Sequence, residues 1–264
     1  MDIFSPDFVR TLATGLTVAL FTPLIGMFMV LRRFSLIADS LAHVALAGVA
    51  IGLVAGVFPF YISFVVTVAA AIFIEYLREN KRVTGDAALA LLVYGGLALA
   101  VVLFSVAGAQ VNEDLLFGSL ETVKAVDLFP IAIVGATVVL SLILFWKELV
   151  YSSFDEETAR VQGVPVRFVN LLLVILTGVT VSFALHVVGV LLVGALMIIP
   201  VAAAAQFGRS FRSTTVLAVL ISLISVAGGL AAAGRWHLSA GGSVALLAFV
   251  CFFIALGIRK LRSA

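Results

Sequence analysis

Two residues four apart carry the chemistry that this apolar chain could do. Asp39 and His43 lie in RRFSLIADSLAHVALAGVAIG, Arg32 to Gly52, a run otherwise suited to lipid or to a packed helix bundle. Positions i and i+4 share a helical face, one above the other, so a helix here would aim the carboxylate and the imidazole the same way. An Asp inside a membrane helix costs roughly 2.5–3.5 kcal/mol on an insertion scale, and such groups tend to face a cavity and mark a pathway. Carboxylate oxygen and neutral imidazole nitrogen are also donors for a divalent metal. The residues alone leave two readings open. Asp39 and His43 are a passing point for metal, or they form a buried hydrogen-bonded pair that fixes helix packing. Two donors do not complete the four-coordinate shell usual for zinc. Water, another helix or the same residues of a second subunit would supply the rest.

The elements that must hold this pair are helices in a bilayer. Of 264 residues, 63% are hydrophobic and 11% charged, whereas a soluble domain has about 25% charged residues. The expectation is an all-α, polytopic membrane helix bundle forming one transmembrane domain over 1–264, with no soluble catalytic module. Apolar segments of about 20 residues, long enough to span, lie near 9–31, 34–57, 60–77, 87–107, 128–146, 166–185, 187–206, 214–233 and 242–258. That makes nine spans, or eight if the long run from Phe168 to Ala205 is not divided near His186. Asp2 and Asp7 stand where a signal peptide would be basic, so the first apolar run is read as a span.

Charge placement orients the bundle. With nine spans, thirteen of the 16 Lys and Arg residues fall at one set of ends, among them Arg32, Arg33, Arg78, Lys147, Arg167 and Arg259, while Arg10, Lys124 and Arg235 fall at the other. The positive-inside rule makes the first set cytoplasmic, with the N-terminus out and the C-terminus in. Pro23 and Pro200 fall within spans and are expected to bend or break them locally. Paired glycines such as Gly48 and Gly52, or Gly228 and Gly229, suit close helix packing.

The inner loop KELVYSSFDEETARVQGVPVR, Lys147 to Arg167, predicts a short cytoplasmic helix near Phe154–Gln162. Ser153 and Glu156 fit a capping box, and Asp155, Glu156 and Glu157 suit the positive end of the helix dipole. Gly163 offers a left-handed cap, and Pro165 stops continuation. Such a helix could lie on the membrane surface or dock into another protein. The outer loop, Gly108 to Asp127, mixes acids with an apolar LLFGSL stretch and could lie across the outer mouth. His186 is read as an interfacial or packed residue. His237, beside Trp236, is a further candidate metal donor at the outer mouth.

Several classes are excluded or weakened. A net charge of +2 gives no case for nucleic acid. Cys251, the only cysteine, supports neither a disulfide framework nor a cysteine metal cage. No G-x-x-x-x-G-K-[ST] loop or H-E-x-x-H pair is present, so no ATPase or zinc-protease site is expected in this chain. The alternatives for function are a secondary transporter, with Asp39 and His43 relaying protons or a coupling ion, and a non-transporting assembly subunit.

The chain resembles the membrane permeases of zinc and manganese ABC importers, most closely the zinc-uptake branch of bacteria. RRFSLIADSLAH at Arg32–His43, ALAGVAIGL at Ala45–Leu53 and VVGVLLVGALMIIPVAAAA at Val187–Ala205 carry the resemblance, with FDEETARVQGVPV at Phe154–Val166 similar to the family's cytoplasmic loop. The resemblance implies that Asp39 and His43 line the metal pathway. It implies that the helix bearing Asp155, Glu156, Glu157, Ala159 and Gly163 couples to a separate ATPase. It further implies two permease copies, two ATP-binding cassette subunits holding the ATP, and an extracytoplasmic metal-binding protein, assembled at the bacterial cytoplasmic (inner) membrane. The cargo implied is zinc first and manganese second, with no permanently bound cofactor. One departure is visible: His237-Leu238-Ser239-Ala240-Gly241 stands where the family often has Asp-x-Pro-small-Gly.

Overall fold

A computed structural model describes residues 6–79, 85–109, 125–208, 210–236 and 238–263. The described residues form helices and connecting turns, without a strand. In chain order they are α1 (Pro6–Leu31), α2 (Ser35–Ala55), α3 (Pro59–Glu79), α4 (Gly85–Val106), α5 (Ala125–Leu144), α6 (Trp146–Phe154), α7 (Glu156–Val161), α8 (Val166–Val188), α9 (Val190–Ala204), α10 (Phe211–Trp236) and α11 (Ala240–Ser263).

Seven of these are long and apolar enough to cross a membrane, and α5 with α6 makes an eighth candidate bent by 69° at their junction. The ninth expected span is α9. It has only 15 residues, about 22 Å of helix against a hydrocarbon core of about 30 Å. It is apolar all round because it is buried: Leu192, Val193, Leu196, Met197 and Val201 are enclosed, and it packs on α1, α2, α8, α10 and α11. The division expected near His186 falls at Gly189, whose φ of 79° and ψ of 165° lie in a region that side chains rarely enter. This glycine marks the break between α8 and α9. Of the bend or break expected at the prolines, the break does not occur. Pro23 and Pro200 both sit inside continuous helices, α1 and α9. Neighbouring helices in a bundle can hold such a segment together despite the missing N–H.

Close approach of helices organises the centre. A Cβ on Gly26 of α1 would fall 1.8 Å from the Met197 carbonyl of α9, and one on Gly48 of α2 would fall 2.5 Å from Ser63 Cα of α3. Small residues therefore bring backbones into contact where lipid offers no hydrophobic drive. Ser63 uses that proximity to donate a 2.8 Å hydrogen bond to the Ala45 carbonyl. Helices α1, α2, α8 and α9 form the buried middle, while α3, α4 and α11 show broad apolar faces outward, including Phe73, Tyr94 and Phe253. The turn between α1 and α2, the C-terminus of α3 and the α6–α7 unit lie together at one end of the bundle, here called the basic end.

Candidate functional site

Helix α2 begins three residues after Arg32 and raises Asp39 and His43 on one face. The pair is not hydrogen-bonded: His43 Nε2 lies 3.9 Å from Asp39 Oδ1, beyond hydrogen-bonding range. His43 Nδ1 is buried with no partner among the described residues. Neither ring nitrogen is thus committed to a protein hydrogen bond. The Asp39 side chain is 41% exposed and His43 14%, so the carboxylate opens outward beside Leu36 while the imidazole sits deeper. Two donors each about 2 Å from a tetrahedral metal stand roughly 3.3 Å apart, which a small side-chain rotation here would reach.

The neighbours of the pair are chosen by size. Gly96 of α4 lies against the His43 backbone, where a Cβ would come within 3.1 Å of the His43 carbonyl carbon. Gly194 of α9 faces Asp39, and a Cβ there would stand 3.7 Å from Oδ1. Ser40 donates to the Leu36 carbonyl at 2.8 Å and to the Leu89 carbonyl of α4 at 3.3 Å. No group of three or more His, Cys, Asp or Glu side chains forms a metal cluster among the described residues. His237 lies outside the described residues, as does the side chain of His186 and nearly all of the 108–127 loop.

The short helix α7 stands at the basic end, and its start differs from the expected capping box. Helix α6 continues through Phe154, so Ser153 is consumed inside it, donating to the Leu149 carbonyl at 2.5 Å. Asp155 is the N-cap. Its Oδ1 accepts from the Glu157 and Thr158 amides at 3.0 and 3.1 Å, and its Oδ2 accepts from the Thr158 hydroxyl. These bonds, the Thr158 hydroxyl first, hold the Asp155 carboxyl below its ordinary range. Glu156 and Glu157 occupy the exposed first turn. Ala159 is only 2% exposed and seats the helix inward, whereas Val161 is 89% exposed. Gly163, at φ 84°, closes α7, with its N–H donating to the Arg160 carbonyl and that of Val164 to Ala159. Beside α7, a polar cleft of about 350 Å³ runs between α3 and α8, lined by Glu75, Arg78, Glu79, Glu156, Arg160 and Arg167.

Residues 6–259, nearly the whole chain, match the ABC 3 transport family. The chain belongs to that family. Among its relatives, the high-affinity zinc uptake system membrane protein ZnuB of Haemophilus influenzae is 34% identical over 93% of this chain and 95% of its own length. The manganese transport system membrane protein MntC of Listeria monocytogenes is also 34% identical, over 93% of this chain and 88% of its own. A solved structure, PsaBC from Streptococcus pneumoniae in complex with Fab, matches with a TM-score of 0.84 and 31% identity, covering 96% of this chain and 91% of that one. Equal identity to a zinc and a manganese relative leaves the cargo to be argued from the donors.

For this ABC 3 family chain, sequence reasoning missed one residue. Arg32 was legible only as a topology-setting charge, yet it is 8% exposed. Its Nε donates to Ser153 Oγ at 2.9 Å, its Nη1 to Asn170 Oδ1, and its Nη2 to Ser152 Oγ and to the Leu149 carbonyl at 3.4 Å. Asn170 Nδ2 in turn donates to Glu156 Oε1 at 3.3 Å. Burial lowers the Arg32 pKa to about 10, with the Glu156 charge opposing that shift, so the guanidinium stays charged near neutral pH. The available signal was a set of polar residues, Ser152, Ser153 and Asn170, on helices where apolar ones would pack.

Proposed function

We propose that the chain is the permease subunit of an importer of divalent metal, zinc first and manganese second. The observation that carries this reading is the uncommitted pair on α2: an imidazole and a carboxylate 3.9 Å apart, unbonded to each other, with Gly194 of α9 facing the carboxylate. A group that cost free energy to place in a bilayer and was kept only for packing would be paired. A transport site must bind and then release, so a partial ligand set suits it. A second copy of the chain would bring a second Asp39–His43 pair to complete the shell. Imidazole nitrogen favours zinc, since affinity for a nitrogen–oxygen site rises from manganese toward zinc.

In this reading the basic end faces the cytoplasm of a bacterial inner membrane. An extracytoplasmic binding protein delivers the ion to the opposite end. Asp39 and His43 take it up transiently, and His237 is proposed as a donor at the outer mouth. Two ATP-binding cassette subunits supply the energy. Their movement enters through α7, where Asp155 and Gly163 fix the ends, Ala159 seats the inner face, and Glu156 and Glu157 with Val161 form the docking surface.

Uptake into sealed vesicles carrying the chain with its cognate ATPase tests this. Zinc accumulation that requires both the ATPase and ATP, and exceeds manganese accumulation, is the expected result. Gradient-driven uptake by the chain alone would replace the proposal with a secondary transporter. Absence of metal uptake by an assembled, ATP-hydrolysing complex would leave only an assembly role.

A further inference from the structure

The metal-bearing helix and the docking helix are joined by a part that neither contributes. Helix α6 packs on α1, α5, α7 and α8, and α7 packs on α6 and α8. None of their substantial packing is on α2. The bridge is the turn at residues 32–34, between the end of α1 and the start of α2 at Ser35. This turn is rigid by its own bonding: the Arg33 amide donates to Val30 and that of Phe34 to Met29, at 3.2 and 2.8 Å. Arg33 holds a φ of 59°, unusual for a residue with a side chain. Phe34 is pinned as well, with the Arg78 guanidinium 4.0 Å above its ring and Arg78 itself held by Glu75 at 2.8 Å.

Arg32 fastens that rigid turn to the docking unit. Its planar fork reaches Leu149, Ser152 and Ser153 on α6 and Asn170 on α8. Through Asn170 it is joined to Glu156 in the first turn of α7. A buried guanidinium with this many acceptors has two options when α6 moves. It carries the turn along, or it leaves N–H groups unsatisfied in a site largely closed to water, which is costly. Moving the turn moves Ser35 and the start of α2, and Asp39 stands about one helical turn further on.

We propose that Arg32 is the positioning residue that transmits displacement of α6–α7 to the metal-bearing helix α2. It touches neither metal nor nucleotide. Its contribution is to make the docking helix and the Asp39–His43 helix move as one linked element. The inference rests on the importer reading and adds the internal link to it. A Lys at this position keeps the charge but loses the fork that engages separate acceptors at once.

The test uses the full chain assembled with its cognate ATPase in liposomes, measuring zinc transported per ATP hydrolysed. The wild-type complex comes first, and failure of its ATP-driven uptake counts against the importer reading rather than against Arg32. Given a working wild type, Arg32→Lys is expected to keep ATP hydrolysis and the KM for zinc while zinc moved per ATP falls about tenfold, within the span of allosteric coupling effects. An unchanged ratio per assembled complex, even with less complex formed, would overturn the proposal, because a purely structural residue alters amount and not stoichiometry. Should Arg32→Lys fail to assemble, the paired Ser152→Ala and Ser153→Ala variant decides, since it leaves the arginine in place and removes two of its acceptors. A fall of about fivefold in zinc per ATP supports the link, at the lower end of coupling effects. A wild-type ratio in that variant overturns it.

Discussion

Arg32 and the Asp39–His43 pair lie within twelve residues of one another, and the bundle treats them in opposite ways. The Arg32 guanidinium is enclosed and meets acceptors from two helices, while His43 Nδ1 is buried without a partner among the described residues and Nε2 stands 3.9 Å from Asp39. Each is an ionisable group in an apolar chain, and each costs free energy to place there. The difference lies in what offsets that cost. For Arg32 the protein supplies hydrogen bonds within the fold. For the pair it supplies almost none, which in the proposed importer would leave the atoms available for an ion that comes and goes. The presence of a charge does not separate scaffold from site in a membrane bundle; its degree of satisfaction does.

The contrast can be broken most sharply at the open pair. Asp39→Ala and His43→Ala are each expected to lower zinc uptake by about 100-fold or more, given that even indirect ligand partners cost 10–100-fold in affinity. The same variants should leave thermal unfolding in detergent close to wild type, since no protein hydrogen bond is lost. A loss of stability matching the loss of uptake would return the pair to a packing role.

At the closed site the expected pattern is reversed. Asn170→Ala leaves the buried Arg32 Nη1 without its acceptor and should destabilise the protein by about 1–3 kcal/mol, the cost of an unsatisfied buried group. Thermal or denaturant unfolding of the detergent-solubilised chain measures it. Zinc binding at equilibrium should stay near wild type, as Asn170 is not a ligand.

The smallest effect belongs to the α7 cap. Because the Asp155 carboxyl titrates below its ordinary range when folded, its contribution is present above the unfolded pKa and is lost as pH falls through the folded one. Asp155→Ala should show faster amide exchange at Glu157 and Thr158 near neutral pH, and its difference from wild type should shrink as acid protonates the cap. A difference that grows on acidification would contradict the assignment of the cap to the ionised carboxylate.

Much of this bundle was legible in the sequence because lipid imposes a simple rule, about 20 apolar residues for each crossing. The segments expected at 60–77 and 214–233 fall within α3 and α10. Asp39 and His43 stood out for the same reason, as polar groups within such a run. The cap of α7 was less legible. Ser153 and Asp155 are both good capping residues, and only the continuation of α6 to Phe154 decides between them. Arg32 was hardest to read. Its acceptors lie 117 to 138 residues away in the chain, and beside Arg33 at the end of a span it looks like any other topology-setting cation. Gly189 has a positive φ at the break between α8 and α9, which composition does not distinguish from a small contact residue.

The central claim is that a transported metal is held directly by Asp39 and His43. Zinc-edge X-ray absorption on the assembled complex, loaded with zinc in the absence of ATP, measures this most directly. The account predicts imidazole and carboxylate donors at about 2.0–2.2 Å, with the imidazole signal lost in His43→Ala while the protein stays folded. An imidazole signature that persists unchanged in His43→Ala, or a zinc site without any imidazole in the wild type, would contradict it.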